Sequence, residues 1–369
     1  MLALSLTTIT FFSSLSMTIQ RVLFVLLATI LSLSVSGCDL LGTEASSGPT
    51  LSTTGVFVGN QGNFGDGNGS VTVFNPETQQ AQPAVTNLSS IVQGIAVRDT
   101  SLFIMANSAA RVDVFSTEGL SQTGQLTGLN GPRYLTFADP NTAYVTDQQF
   151  FTSPDPDSIR VLDLSGGHPQ LESSIDVPGT VDGITTAGDH VYAALGAFGD
   201  TSLVADVNVN QNTLTQTIDV DCTSRSLATD SDAEVFVLCA DAPEAVILNG
   251  PTGEIQTRLS LPDTAETTFG VGQPASYAPE AQELYVATDT GILRIDTESN
   301  DVGPMIDVGG PLPAGAVAYD GVRDELYVAR PSGPTERGSV TVHARDGTQK
   351  TSFQAGILPN SIDLQRVER

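Results

Sequence analysis

The sequence predicts an all-β fold, a seven-bladed β-propeller of four-stranded antiparallel blades. Three observations predict it. A short strand carrying an aromatic recurs seven times at spacings of 41 to 49 residues, within the period range of propeller blades. Each recurrence is followed by apolar–polar alternation broken by polar turns, the signature of antiparallel sheet. Finally, 35 Gly and 20 Pro, with abundant Thr, Val and Ser, leave little sequence suited to long helices.

The chain opens on an address. Residues 22–35, VLFVLLATILSLSV, follow Arg21, and a charged start before an apolar run is the layout of a secretory signal. The run is shorter than the ~20 residues that span a bilayer. It ends in Val35-Ser36-Gly37-Cys38, which resembles a bacterial lipobox. The resemblance implies a diacylglyceryl thioether on Cys38 and cleavage before it, so residues 1–37 are read as a lipoprotein signal peptide. Met17 is the expected start of translation, because residues 1–16 place an extra apolar stretch ahead of the signal. Residues 38–54 have the Ser/Thr/Gly/Pro composition of a flexible, lipidated tether. Residues 55–369 are read as the propeller.

The aromatic strands are VFV at 56–58, LFI at 102–104, AYV at 143–145, VYA at 191–193, VFV at 235–237, LYV at 284–286 and LYV at 326–328. Alternating strands follow, among them SVTVFN at 70–75, SIRVLD at 158–163 and ILRID at 292–296. A third strand reads best at 214–220, 255–261 and 304–308. Small-residue strands precede each next aromatic: GIAV at 94–97, YLTFA at 134–138, GITTA at 183–187, SLATD at 226–230, ASYA at 275–278 and GAVAY at 315–319. Small residues suit the innermost position, where strands crowd around a channel. SIDL at 361–364 is a last strand of this kind, and it is expected to complete the blade opened by residues 56–86. That closure leaves no open sheet edge.

The unit resembles the YVTN/YncE-type propeller repeat, most clearly in ELYVATDTGILRIDT and ELYVARPSGPTERGSVTVHARDG. The opening VFVGNQGNFGDGNGSVTVFNPET is similar to the first blade of surface propeller lipoproteins of Bacteroidetes-type bacteria. The resemblance covers about residues 55–366. It implies a lipid-anchored envelope protein at the outer membrane or cell surface. Some such proteins capture cobalamin beside a TonB-dependent transporter, which makes a transported nutrient the implied ligand and that transporter the implied partner. Trp is absent and the one Gly-His, at 167–168, does not recur, so the repeat is not WD40-like.

Charge narrows the function further. The chain has 15 Lys+Arg against 42 Asp+Glu, a net charge of −27, and phosphate backbones need a cationic surface. Nucleic acid is therefore excluded as a partner class. Lys350 is the sole lysine, and an Asp-rich, Lys-poor surface resembles proteins of salt-loving microbes, where salt screens self-repulsion. A closed ring is expected to stand as a monomer.

Function is expected on the long loops at one end of the ring, at 59–69, 146–157, 196–201 and 330–338. A polar ring is expected at the same end of the channel. The positions leading into the seven inner strands are Gln93, Arg133, Asp182, Arg225, Gln273, Gly315 and Asn360. Arg133 and Arg225 stand out against so many acids and suit an anionic group. Phe64, Phe150 and Phe198 lie in the loops, where rings could stack on a ligand.

Catalytic signals are thin. His168, His190 and His343 fit no acid–base–nucleophile order, and no cofactor is expected. Asp147 with Asp155 and Asp157, or Asp66 with Asn68, could offer oxygens to Ca²⁺, but none follows a calcium-loop spacing. Cys222 and Cys239 flank a strand–turn–strand that places them opposite each other or one step off, and export makes a disulfide available, the alternative being two buried free thiols. The leading expectation is a non-enzymatic, membrane-anchored ligand- or partner-binding propeller. The alternatives are a lactonase-like or metal-dependent hydrolase on the same fold, and a structural envelope protein that binds only proteins.

The anchor is directly testable. Cys38→Ser should abolish palmitate labelling and leave an uncleaved precursor. Labelling of the Cys38→Ser chain at the wild-type level would contradict the lipobox.

Overall fold

Consecutive strands joined by tight turns pair with their chain neighbours, so each repeat folds into its own small sheet. The computed structural model describes residues 51–149, 155–199, 201–262, 273–309 and 312–368. The signal peptide and Cys38 lie outside these.

Blade 1 takes β1 (Leu51–Asn60), β2 (Ser70–Asn75) and β3 (Gln80–Val85). Blade 2 takes β4 (Val92–Arg98), β5 (Ser101–Ala106), β6 (Arg111–Ser116) and β7 (Gln122–Thr127). Blade 3 takes β8 (Pro132–Asp139), β9 (Thr142–Asp147), β10 (Ser158–Asp163) and β11 (Gln170–Asp176). Blade 4 takes β12 (Ile184–Ala187), β13 (His190–Ala194), β14 (Leu203–Asn208) and β15 (Thr213–Asp219). Blade 5 takes β16 (Ser224–Thr229), β17 (Glu234–Cys239), β18 (Glu244–Asn249) and β19 (Ile255–Ser260). Blade 6 takes β20 (Ala275–Ala278), β21 (Glu283–Ala287), β22 (Ile292–Asp296) and β23 (Asp301–Val302). Blade 7 takes β24 (Ala316–Asp320), β25 (Glu325–Arg330), β26 (Arg337–Ala344) and β27 (Gln349–Ile357). The last strand, β28 (Pro359–Glu368), returns to blade 1, whose order is β28-β1-β2-β3. Helical structure among the described residues is one 3₁₀ turn, Asn107–Ala109, and no helix there is long and apolar enough to cross a membrane.

The core is distributed around the ring. Seven apolar clusters form among the described residues, and each joins two adjacent blades. Blade 1 meets blade 2 through Phe57, Val71, Ile95 and Ile104, and meets blade 7 through Val56, Phe74, Tyr327 and Phe353. The seven repeat aromatics are all buried. A buried tyrosine needs a partner for its hydroxyl. Tyr144 donates to Asn212 Oδ1 at 2.5 Å and Tyr192 to the Gly250 carbonyl at 2.5 Å, each on the next blade. In blades 3 and 4 the repeat aromatic thus fills its own blade and latches it to its neighbour, whereas Tyr285 and Tyr327 donate to Glu283 and Glu325 on their own strands.

Two boundaries differ from the sequence reading. β1 begins at Leu51, so residues 51–54 belong to the propeller and not to the tether. They pair with the tail of β28, Leu51 opposite Glu368 and Thr53 opposite Arg366, and buried Thr53 donates to Asp320 of blade 7 at 2.7 Å. Ser and Thr suit a half-exposed strand as well as a linker, and only the distant partner strand decides between them. In blade 6 the outer strand is short: β23 stops at Val302, and Ile306 makes a single bridge to Ile292.

Cys222 and Cys239 form a disulfide with Cα atoms 5.6 Å apart. It ties the residues leading into β16 to the end of β17.

Deleting residues 359–368 should expose the edge of β1 and remove Ile362 and Leu364 from the cluster between blades 1 and 7. Loss of the cooperative thermal transition, or aggregation, is the expected outcome. An unchanged melting curve would contradict the closure.

Candidate functional site

Strand direction fixes which end of the channel collects the loops. The start of each inner strand pairs with the end of the next strand, as Pro132 does with Asp147, and Asp147 pairs in turn with Ser158 at the start of β10. The long loops after the second strands therefore rise beside the inner-strand starts. The seven leading residues share that end of the channel.

Two glycines let these starts approach. Gly183 N–H donates to the Arg225 carbonyl at 2.9 Å, where a Cβ on residue 183 would lie 2.7 Å from that oxygen. Gly94 likewise packs on the Arg133 carbonyl, 2.8 Å from where its Cβ would stand. Each glycine directly follows a ring residue, Asp182 or Gln93.

The seven positions divide into two groups. Asn360 donates its side-chain amide to the Val92 and Gln93 carbonyls at 3.1 and 3.0 Å. Gln93 donates to the Tyr134 hydroxyl at 3.3 Å. Gln273 N–H reaches past Gly315 to the Asn360 carbonyl at 2.9 Å. These residues seal one side of the mouth. On the other side blades 3, 4 and 5 bring together Arg133, Asp182 and Arg225. Arg133 donates Nε to Asp182 Oδ1 at 2.9 Å, with Nη2 on the same oxygen at 2.7 Å. Arg225 Nε donates to Asp182 Oδ2 at 2.9 Å. Arg133 Nη1 donates to Gln148 Oε1 at 3.1 Å, and the Gln148 Nε2 is buried with no partner among the described residues.

The arrangement holds one carboxylate between two guanidiniums. Burial alone would lower the Arg133 pKa, but Asp182 beside it holds the guanidinium above its ordinary value. The cluster keeps one positive charge in excess inside a chain of net charge −27. Arg225 is the accessible member, its side chain 19% exposed against 9% for Arg133. Nothing in the sequence signals that Asp182 links the two arginines, because 49 and 43 residues separate it from them.

Phe64 and Phe198 are exposed on their loops, at 76% and 54%. Phe150 lies outside the described residues. Among the oxygen-ligand candidates, Asp147 accepts the Asn130 and Gly131 N–H groups at 2.8 Å each and pairs with Arg160 at 2.7 Å. Asp157 accepts the Gln149 and Val181 N–H groups at 2.8 and 2.9 Å, and burial pushes its pKa up. Both brace the loop behind Arg133. Asp155 is exposed, as are Asp66 and Asn68, and Asn68 Oδ1 accepts the Asn63 N–H at 2.6 Å. His190 pairs with Asp206 at 2.6 Å at the start of β13, at the end of blade 4 away from the mouth. His343 is buried, with Nδ1 on the Gly347 carbonyl at 2.9 Å. The one close group of His, Cys, Asp and Glu atoms among the described residues is Cys222, Cys239 and Glu244, and its two sulfurs are joined to each other.

The matching family model covers residues 54–351, and its description is a domain of unknown function, DUF5074. The chain belongs to the DUF5074 family. No curated protein matches it at a significant level. The DUF5074 domain is similar in fold to the crystal structure of a functionally unknown protein from Desulfotomaculum acetoxidans. That match has a TM-score of 0.66 at 12% identity and covers 85% of this chain and 99% of the other. It is also similar to Sqt1 of Saccharomyces cerevisiae, with a TM-score of 0.56 at 13% identity over 84% of this chain and 90% of Sqt1. At these identities the likeness concerns fold alone.

The cluster sets an order of stability losses. Asp182→Asn leaves two facing guanidiniums, and Arg133→Ala leaves a buried carboxylate with one partner; each should cost about 3–5 kcal/mol. Arg225→Ala should cost less, about 1 kcal/mol, because water reaches its side chain. Denaturant unfolding of the three variants checks the order, and equal losses would contradict the buried bridge.

Proposed function

We propose that this chain is a lipid-anchored propeller of the cell envelope that binds an anionic ligand at the channel mouth without transforming it. The observation that carries this reading is the Arg133–Asp182–Arg225 cluster. A rigid ring places an excess positive charge at one point of an acidic molecule, beside loops that present Phe64 and Phe198. Anions are repelled elsewhere on such a surface, so binding focuses where the field is locally reversed. Arginine also offers paired N–H donors to carboxylate or phosphate oxygens. The lipobox-like Val35-Ser36-Gly37-Cys38 supports the anchor. Resemblance to surface propeller lipoproteins makes cobalamin, which carries a phosphodiester, the first ligand to test and a TonB-dependent transporter the matching partner.

Arg225 is the residue to change, because Arg133 also holds the fold. Calorimetric titration with cobalamin and with inorganic phosphate should give saturable binding to one of them. Arg225→Gln should weaken it about tenfold, the size of one lost charge-assisted contact. Saturable binding indifferent to Arg225→Gln would move the site away from the mouth, and no heat with either probe would remove both as ligands.

A further inference from the structure

A second charged pair lies within the ring, and its members do not pair with each other. A cavity of about 280 Å³ opens along the channel between the inner strands of blades 6, 7 and 1. Its polar lining includes Gln273, Ser276, Tyr277, Asp363 and Arg366, and the last two are the only charged residues among its lining. Each is held by backbone. The Asp363 oxygens accept the Leu364 N–H at 2.7 Å and, from blade 2, the Val97 N–H at 2.7 Å. Arg366 donates Nη2 to the Tyr319 carbonyl at 2.9 Å, while its Nε is buried with no hydrogen-bond partner among the described residues.

A carboxylate and a guanidinium lining one cavity ordinarily close on one another, because a partly desolvated charge is costly alone. Here the anchoring of both to main chain keeps them apart. Asp363 feels the field of Arg366 without forming an ion pair with it. Burial pushes Asp363 up to about 6, against its two N–H donors and Arg366. The carboxylate retains acceptor capacity and the guanidinium retains donors. What satisfies both is a molecule carrying a cation and an anion a few atoms apart.

We propose that this cavity binds a small zwitterion of amino-acid type, its ammonium on Asp363 and its carboxylate on Arg366. A zwitterion has no net charge, so the acidic field of the protein does not repel it. The cavity volume of about 280 Å³ suits a single small residue. The inference is independent of the mouth reading, since it uses other residues and other probes.

The test is calorimetry on the full chain with glycine and L-alanine, and with acetate and methylammonium as single-charge controls. Saturable heat with an amino acid is expected, with both controls at least about tenfold weaker. Asp363→Asn, which keeps an acceptor for the Val97 N–H, and Arg366→Gln should each lower amino-acid affinity about tenfold or more. Thermal unfolding confirms that each variant is folded; if Arg366→Gln does not fold, Asp363→Asn decides alone. Absence of saturable heat with both amino acids would overturn the proposal. So would acetate or methylammonium binding as tightly as glycine, or a folded variant with unchanged affinity.

Discussion

The antiparallel pairing of β28 with β1 is the interaction on which the rest of the structure depends. It joins residues about three hundred positions apart, from Leu51 opposite Glu368 to Asn60 opposite Pro359. No single blade buries both its faces; each needs a neighbour on either side, and the seven interblade clusters supply them only in a closed ring. Blade 7 reinforces the seam at both ends of β1. Thr53 reaches Asp320 of blade 7, and Asn60 Oδ1 accepts the Gly356 N–H at 2.7 Å. The entropy of closing so long a loop grows only slowly with its length, so these local contacts suffice to hold it.

Closure also determines where charge can converge. Seven inner strands begin around one axis, so residues scattered along the sequence meet there. Arg133, Asp182 and Arg225 come from three successive blades, and Asp182 lies between the arginines in space as in the chain. Deeper in the channel, Asp363 on β28 caps the Val97 N–H of blade 2, so the closing strand itself carries part of the polar interior. Ser276 Oγ does the same for Tyr319 N–H at 3.0 Å. The exposed surface is acidic, while the axis holds arginines at both the mouth and the cavity. That contrast between periphery and axis underlies both binding readings.

The fold was legible because its signals are local. Aromatic spacing, the small-residue inner strands and SIDL at the C-terminus each report one strand, and repetition makes the architecture unambiguous. What stayed hidden was long-range. Residues 51–54 look like a tether until β28 pairs with them. The outer strand of blade 6 reads as PMIDV at 304–308, yet its regular pairing is confined to 301–302. The seven residues that lead into the inner strands divide into a group of neutral side chains around Asn360 and a charged group around Asp182. No pattern in the sequence distinguishes an arginine that is free from one bound to a carboxylate one blade's worth of residues away. Asp363 and Arg366 carried no signal at all, because their interest lies in a cavity that only the closed ring creates.

The claim that one closed ring supports everything else is tested most directly by native-state amide hydrogen exchange. A sealed ring opens as a unit, so the slowest amides of β1 and β28 should exchange with the same free energy as those of β9 and β17. Exchange of β28 by easy local opening, with blades 3 and 5 still fully protected, would contradict the account.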